Sequence, residues 1–196
     1  MSEKTVKTKE PLVTKRAQDL QALFVQPASE ETYHAVEKFL YKEARLLDSK
    51  MFRTWLQDVV SEDVRYIVTS TELRANNERR YDLPDQVYLF DDDYRQLSIR
   101  VEHDLDPQNW RSSPQEVYCR FVTNIEVFET DDPQEFTVRS NCLLIRSRRS
   151  YQTDQFFCTR VDVLRQDAGP SGFKLKSRTI DYPERCVSGH NMLVYL

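Results

Sequence analysis

The chain has 196 residues, 39% of them apolar and 31% charged, and carries a formal net charge of −4 at pH 7. That length supports one well-cored domain, and the acidic balance argues against a nucleic-acid partner, because duplex binding draws most of its affinity from phosphate neutralisation. Three glycines cannot build a phosphate-cradling loop, the basic start MSEKTVKTKEPLVTKR has no apolar run behind it to act as a signal peptide, and no stretch approaches the ~18 apolar residues of a membrane span.

The expectation is therefore a cytoplasmic protein with no membrane span and no nucleic-acid partner. Residues 1–28 form an N-terminal arm. Lys4, Lys7, Lys9, Lys15 and Arg16 make its start basic, and Leu20, Leu23, Phe24 and Val25 end it in an apolar anchor. It is either a frayed terminus or an arm laid across a partner subunit. Residues 29–196 are expected to form a single α+β domain.

That domain opens with a long helical stretch from Ser29 to Val59. Tyr33, Val36, Leu40, Leu47 and Met51 recur at steps of three, four or seven, and Phe39, Ala44 and Leu46 widen the stripe. Ser29 is placed to cap the first amides, with Glu30 and Glu31 in the first turn. Near Asp48-Ser49 the pattern restarts, and Met51, Phe52, Trp55, Leu56 and Val59 make a second, shorter apolar face capped by Asp48 or Ser49. Val64–Thr69 reads as a strand. The polar segment 70–90 is broken by Leu83-Pro84 and offers a short apolar contact at Val87–Phe90. Asp91, Asp92 and Asp93 then open a helix carrying Tyr94, Leu97, Val101 and Leu105, which ends before Pro107. The aspartate triplet lacks the D-x-D-x-D-G pattern of a calcium loop and reads as helix capping.

From Gln115 the period changes to two. Val117, Cys119, Phe121, Ile125 and Val127 share one side of a strand; Phe136, Val138, Cys142 and Leu144 share one side of the next. Phe157, Thr159, Val161 and Val163 follow, then Phe173, Leu175, Ser177 and Thr179. Short turns at Asp131–Gln134, Ser150–Asp154 and Ala168–Gly172 join them into an antiparallel meander with one buried face. Helices first and sheet second give an α+β domain in which the sheet wraps the long helix. The set Val117, Cys119, Phe121, Val138, Cys142, Leu144, Phe157, Val161 and Leu175 is expected to face that helix. Arg120, Arg139, Arg160, Lys174, Lys176 and Arg178 then fall on the opposite face, either solvated or forming a docking surface. The apolar finish Asn191–Leu196 is expected to pair as a last strand or to pack in a subunit contact.

Chemistry-bearing residues are sparse. Cys119, Cys142, Cys158 and Cys186 show no C-x-x-C spacing and read as buried reduced thiols. His34, His103 and His190 show no H-E-x-x-H or H-x-x-E-H spacing. Glu43, Asp48, Tyr66, Tyr118 and His103 are available to a pocket between helix and sheet, and no spacing marks them as a set. Glu43 lies on the apolar stripe, so its carboxylate must be paired, hydrogen-bonded or protonated. An arginine partner is the first reading and a catalytic role the second.

The string FLYKEARLLDSKMFRTWLQDVVSEDVRYIV resembles the opening of the small, or β, subunit of aromatic-ring-hydroxylating Rieske non-haem iron dioxygenases of the biphenyl, benzene and polycyclic-aromatic type. The resemblance rests on Tyr41, Glu43, Ala44, Leu46, Leu47, Asp48, Phe52, Trp55, Leu56, Asp63, Val64 and Tyr66. It continues through Phe121–Val127, Val138–Leu144, Phe156-Phe157, Arg160–Arg165 and Phe173–Ile180. It implies a cone-shaped, cystatin-like (nuclear-transport-factor-like) domain with helices packed in a curved antiparallel sheet. It also implies a structural role beside a catalytic α subunit, most often in a three-plus-three (α3β3) hexamer that cis-dihydroxylates aromatic hydrocarbons. The Rieske 2Fe–2S cluster and mononuclear Fe(II) would sit on the α subunit, with electrons from NADH through a reductase and usually a ferredoxin. No catalytic, cofactor-binding or metal-binding residue is then expected on this chain. The alternatives are a stand-alone cone-fold isomerase or dehydratase, and a non-enzymatic adaptor.

Overall fold

A computed structural model describes residues 22–69, 88–109, 114–183 and 191–196. Most of the arm, the 70–87 segment with Leu83-Pro84, and Cys186 and His190 lie outside the described residues.

Helix α1, Glu30–Asp48, starts where Ser29 turns extended and its hydroxyl accepts from the Thr32 amide at 3.2 Å. Its buried face is Val36, Phe39, Leu40, Glu43, Ala44, Leu46 and Leu47, as the stripe predicts. The chain then reverses through Lys50, held at φ 57°. This reversal moves the start of α2, Phe52–Asp58, to Met51, which offers no side-chain cap and is itself half-exposed. Asp48 or Ser49 as a cap is thus corrected: Asp48 stays in α1. Strand β1, Val60–Thr69, follows. Of the Val87–Phe90 contact, Val87 lies outside the described residues and the rest belongs to a strand, β2, Tyr88–Asp92. Helix α3, Tyr94–Leu105, is opened by Asp93 alone: its carboxylate takes the Gln96 amide while the Gln96 side chain takes the Asp93 amide, both at 2.8 Å. Asp91 and Asp92 instead pair with Arg65 and Arg100.

The long strands are β3 (Val117–Glu129), β4 (Glu135–Arg149), β5 (Gln152–Gln166) and β6 (Phe173–Asp181). They form the expected antiparallel meander, but among the described residues the sheet has six strands in the order β2-β1-β6-β5-β4-β3, and β1 runs parallel to β6. It is therefore a curved mixed sheet. Helix α1 lies against β3, and α2 packs on α1, α3 and β1. Gly172, at φ 73°, makes the β5–β6 turn in a conformation that side chains disfavour.

Which face of each strand points inward follows the sequence pattern on β4 and breaks elsewhere. Val138, Cys142, Leu144 and Leu175 are buried as expected. On β3, Val117, Cys119 and Phe121 face outward, and Tyr118 and Val122 are inside. The cause is a bulge: the register shifts between Thr123 and Glu126, with Asn124 at φ 52°, so the alternation that buries Val127 reverses before it. On β5, Phe157 is half-exposed, Val161 is only partly covered, and Phe156, Cys158, Arg160, Asp162 and Leu164 face the core. On β6 a shift beside Lys176, where Leu164 opposes Leu175 but Val163 opposes Ser177, turns Arg178 and Ile180 inward. Arg160 and Arg178, expected on the outer face, are thus 1% and 0% exposed, and the Arg120 side chain is also enclosed. The tail is corrected as well: Met192, Val194, Tyr195 and Leu196 are buried in this chain's own core, outside any strand.

Candidate functional site

The interior between α1 and the sheet is ionic at its centre. Glu43 projects from the middle of α1. Arg178 of β6 holds it with two hydrogen bonds of 2.9 and 2.8 Å, and Trp55 of α2 donates its indole N–H at 3.1 Å. The same guanidinium makes a second two-pronged pair with Asp162, both bonds at 2.8 Å. Asp162 and Arg178 are direct cross-strand neighbours, so pairing them requires only that both face inward. Arg160 completes the cluster, 3.8 Å from Glu43 and donating its Nε to Ser140 at 3.2 Å. Burial alone would push the Glu43 carboxyl up; the charges of Arg178 and Arg160, with hydrogen bonds from Arg178 and Trp55, outweigh it and hold the pKa at about 2. Tyr66, on β1 beside Arg178, is pushed up to about 12, chiefly by burial.

The tail closes over this cluster. Four arginines each hold one of its main-chain oxygens: Arg146 takes Asn191 at 3.1 Å, Arg100 takes Val194 at 3.3 Å, Arg120 takes Tyr195 at 2.8 Å and Arg178 takes Leu196 at 3.1 Å. The Tyr66 hydroxyl donates to the Leu196 oxygen and accepts its amide at 2.8 Å. The Tyr195 ring stacks obliquely on Trp55 and Phe52, with centroids 4.9 and 5.3 Å apart. Each arginine is also paired with a carboxylate: Arg146 with Asp154, Arg100 with Asp92, Arg120 with Asp48, and Arg178 as above. The pairs fix the guanidinium planes, and the planes fix the tail.

This arrangement is poor acid–base machinery. A general base needs a pKa near the working pH and a free lone pair facing substrate. Both Glu43 oxygens are occupied, as are both Asp48 oxygens, which accept from the Arg120 amide at 2.9 Å and from its guanidinium. The Tyr118 hydroxyl is turned to Glu116, and His103 lies exposed at the end of α3. Of the five candidates, Glu43 and Tyr66 come together with Arg178 between them, and Asp48 and Tyr118 with Arg120 between them; His103 stands apart. Arg178, Asp162 and Arg160 carry the site, and alternation alone hid them. The available signal was complementarity: a lone glutamate on an apolar helix stripe demands buried cations elsewhere in the chain.

Among the described residues, no group of three or more His, Cys, Asp or Glu is arranged to hold a metal ion, and no helix is long and apolar enough to cross a membrane.

A helix enclosed by a curved mixed sheet defines a cone-shaped α+β protein of the nuclear-transport-factor type. Residues 42–188 match the family described as ring hydroxylating beta subunit, and the chain belongs to that family: it is a β subunit of an aromatic-ring-hydroxylating dioxygenase. It is 43% identical over 162 residues to the small oxygenase component of the 2,4-dinitrotoluene dioxygenase system of Burkholderia sp. (strain RASC), spanning 82% of this chain and 83% of that one. The small oxygenase component of the naphthalene 1,2-dioxygenase system of Pseudomonas putida is 42% identical over 158 residues, 80% of this chain and 81% of that one. The solved structure of naphthalene 1,2-dioxygenase with indole bound in the active site superposes with a TM-score of 0.86 at 37% identity. That match covers 94% of this chain and 96% of the other.

Proposed function

We propose that this chain is the non-catalytic, structural subunit of its dioxygenase, assembling in the cytoplasm with a large α subunit as an α3β3 hexamer. The α subunit would supply the Rieske 2Fe–2S cluster and the mononuclear iron that dihydroxylate an aromatic hydrocarbon, with NADH electrons arriving through a reductase and ferredoxin. The described histidines and cysteines of this chain do not suit either group: His34, His103 and Cys119 are surface residues on three different elements, while Cys142 and Cys158 lie in the core.

One observation carries the reading. Between α2, α3 and the sheet the inside of the cone is filled by the chain's own residues 191–196, pinned by four arginines and stacked on Trp55 and Phe52. That occupancy also counts against a stand-alone isomerase or dehydratase. Assembly is left to the outside of the cone, where Phe121, Leu143 and Phe157 stand in register across β3, β4 and β5. The two phenylalanines are 49% and 50% exposed. We assign this row to contact with the large subunit. The test is metal analysis and aromatic-dependent oxygen uptake by the chain alone and with its α subunit. No stoichiometric iron and no turnover are expected from the chain alone, and both from the pair, each assayed with NADH, reductase and ferredoxin supplied. Iron at one per isolated chain, or turnover without the partner, would overturn the assignment.

A further inference from the structure

Cys142 and Cys158 are direct partners across the β4–β5 ladder, and both face the core, 2% and 5% exposed. Directly opposed residues of an antiparallel pair have Cα atoms about 4.5–5.5 Å apart, inside the ~4.4–6.8 Å range that a disulfide spans. The two thiols are free, buried and directly opposed on neighbouring strands. Their neighbours on the same inward face are Ser140 before Cys142 and Arg160 after Cys158, and the Arg160 Nε reaches across to the Ser140 hydroxyl. Cations therefore border the pair, and one buried nitrogen of Arg160, Nη2, has no hydrogen-bond acceptor.

We propose that Cys142 and Cys158 are a peroxide-reactive pair that closes reversibly into a disulfide inside the cone. The Cys142 thiolate attacks one oxygen of hydrogen peroxide, the O–O bond breaks, and hydroxide leaves with a sulfenic acid on Cys142. The Cys158 sulfur then attacks the Cys142 sulfur. The S–S bond forms, the sulfenic oxygen leaves as water with the Cys158 proton, and the two thiols have together lost two electrons to the peroxide. The roles are asymmetric for a physical reason. Cys142 is held down by the hydrogen bond from Cys158, against the opposing effect of burial, and then by the charges of Arg160, Arg120 and Arg178. Cys158, donating that bond and buried beside it, is pushed up. The thiolate is the nucleophile in both oxidation and exchange.

The experiment exposes the full-length chain to hydrogen peroxide, blocks the remaining thiols with N-ethylmaleimide in denaturant, and maps tryptic peptides without reduction. The reduced chain carries four cysteines. The expected product has two blocked thiols and a disulfide joining Ser140–Arg146 to Ser150–Arg160, and dithiothreitol restores four blockable thiols. In Cys158→Ser the reaction stops at a sulfenic acid on the Ser140–Arg146 peptide, trapped by dimedone. In Cys142→Ser the rate of peroxide consumption falls by at least about tenfold. Cys119→Ser, which removes the exposed thiol, leaves the disulfide forming as before. Four blocked thiols after treatment, or oxidation confined to Cys119, or a disulfide linking either core cysteine to a different partner, would overturn the proposal. Wild-type mapping alone decides it if a variant fails to fold.

Discussion

The two faces of β5 invert the usual arrangement. Its inner face carries Arg160 and Asp162, both sealed from water, and its outer face carries Phe157, Val161 and Val163, partly in water. Inside, the charges persist because each meets an opposite charge with directed hydrogen bonds: Asp162 with Arg178, Arg178 with Glu43, and Arg160 near Glu43. Outside, among the described residues, Phe157 is half in water and Val161 and Val163 are only partly covered. The lesson is that strand alternation locates where apolar surface is wanted, whether by this chain's core or by a neighbouring chain, and does not by itself say which.

The sharpest way to break the contrast is to unseat the tail. Deleting residues 193–196 removes three buried side chains, worth on the order of 5 kcal/mol together, and strips acceptors from Arg100, Arg120 and Arg178. The truncated chain should lose most of its folded population, measured by urea denaturation. An unchanged midpoint would mean the tail rests on the core without completing it.

Glu43→Ala comes next. It leaves Arg160 without its carboxylate and Arg178 with only Asp162, and should cost about 3–5 kcal/mol, as for other broken buried pairs. A melting temperature within a degree of the parent would show that the inner charges are incidental.

Acid should act on the same group. Glu43 has a folded pKa of about 2, below its ordinary 4.5, so the unfolded chain binds the proton more tightly. Its contribution is fully present above pH about 4.5 and is lost as pH falls through about 2. Stability measured down the acid limb should fall less steeply in Glu43→Gln than in the parent. Equal slopes would remove Glu43 from the account.

The smallest effect on stability is expected outside. Phe157→Ser should change the folding free energy of the isolated chain by less than about 1 kcal/mol while weakening co-purification with the large subunit. If the chain unfolds instead and assembly of the remainder is normal, the outer row belongs to the core after all.

The elements were largely legible in the sequence. The α1 stripe, the α3 helix, the four long strands and the ion-paired Glu43 all follow from period, caps and the cost of an isolated buried charge. The faces of three strands were not. On β3 and β6 a single extra residue, near Asn124 and at Lys176, reverses the parity, and nothing in one sequence marks a bulge. On β5 the two faces are almost equally apolar, Phe156, Cys158 and Leu164 against Phe157, Val161 and Val163, so Arg160 and Asp162 tipped the reading outward. Strand β2 was missed because Asp91 and Asp92 looked wholly like a cap. The arginine clamp on the tail needed the fold, since its four members come from α3, β3, β4 and β6.

The parallel seam between β1 and β6 has a consequence for how the chain reaches its shape. The Thr69 hydroxyl bonds the Ile180 carbonyl from 111 residues away, whereas β3 through β6 join through short reversals. The hairpins can close early, at low loop-closure entropy; β1, with the α1–α2 unit before it, cannot dock until β6 exists. Folding should therefore be slow for a chain of this size, with the meander forming first and the N-terminal half landing on it late. In stopped-flow experiments, Val138→Ala in β4 should mainly slow refolding, and Val68→Ala at the seam should mainly speed unfolding. The reverse assignment would place the seam in the nucleus. Until it lands, the apolar stripe of α1 is uncovered, and a cell making this chain has an interval in which aggregation competes with completion.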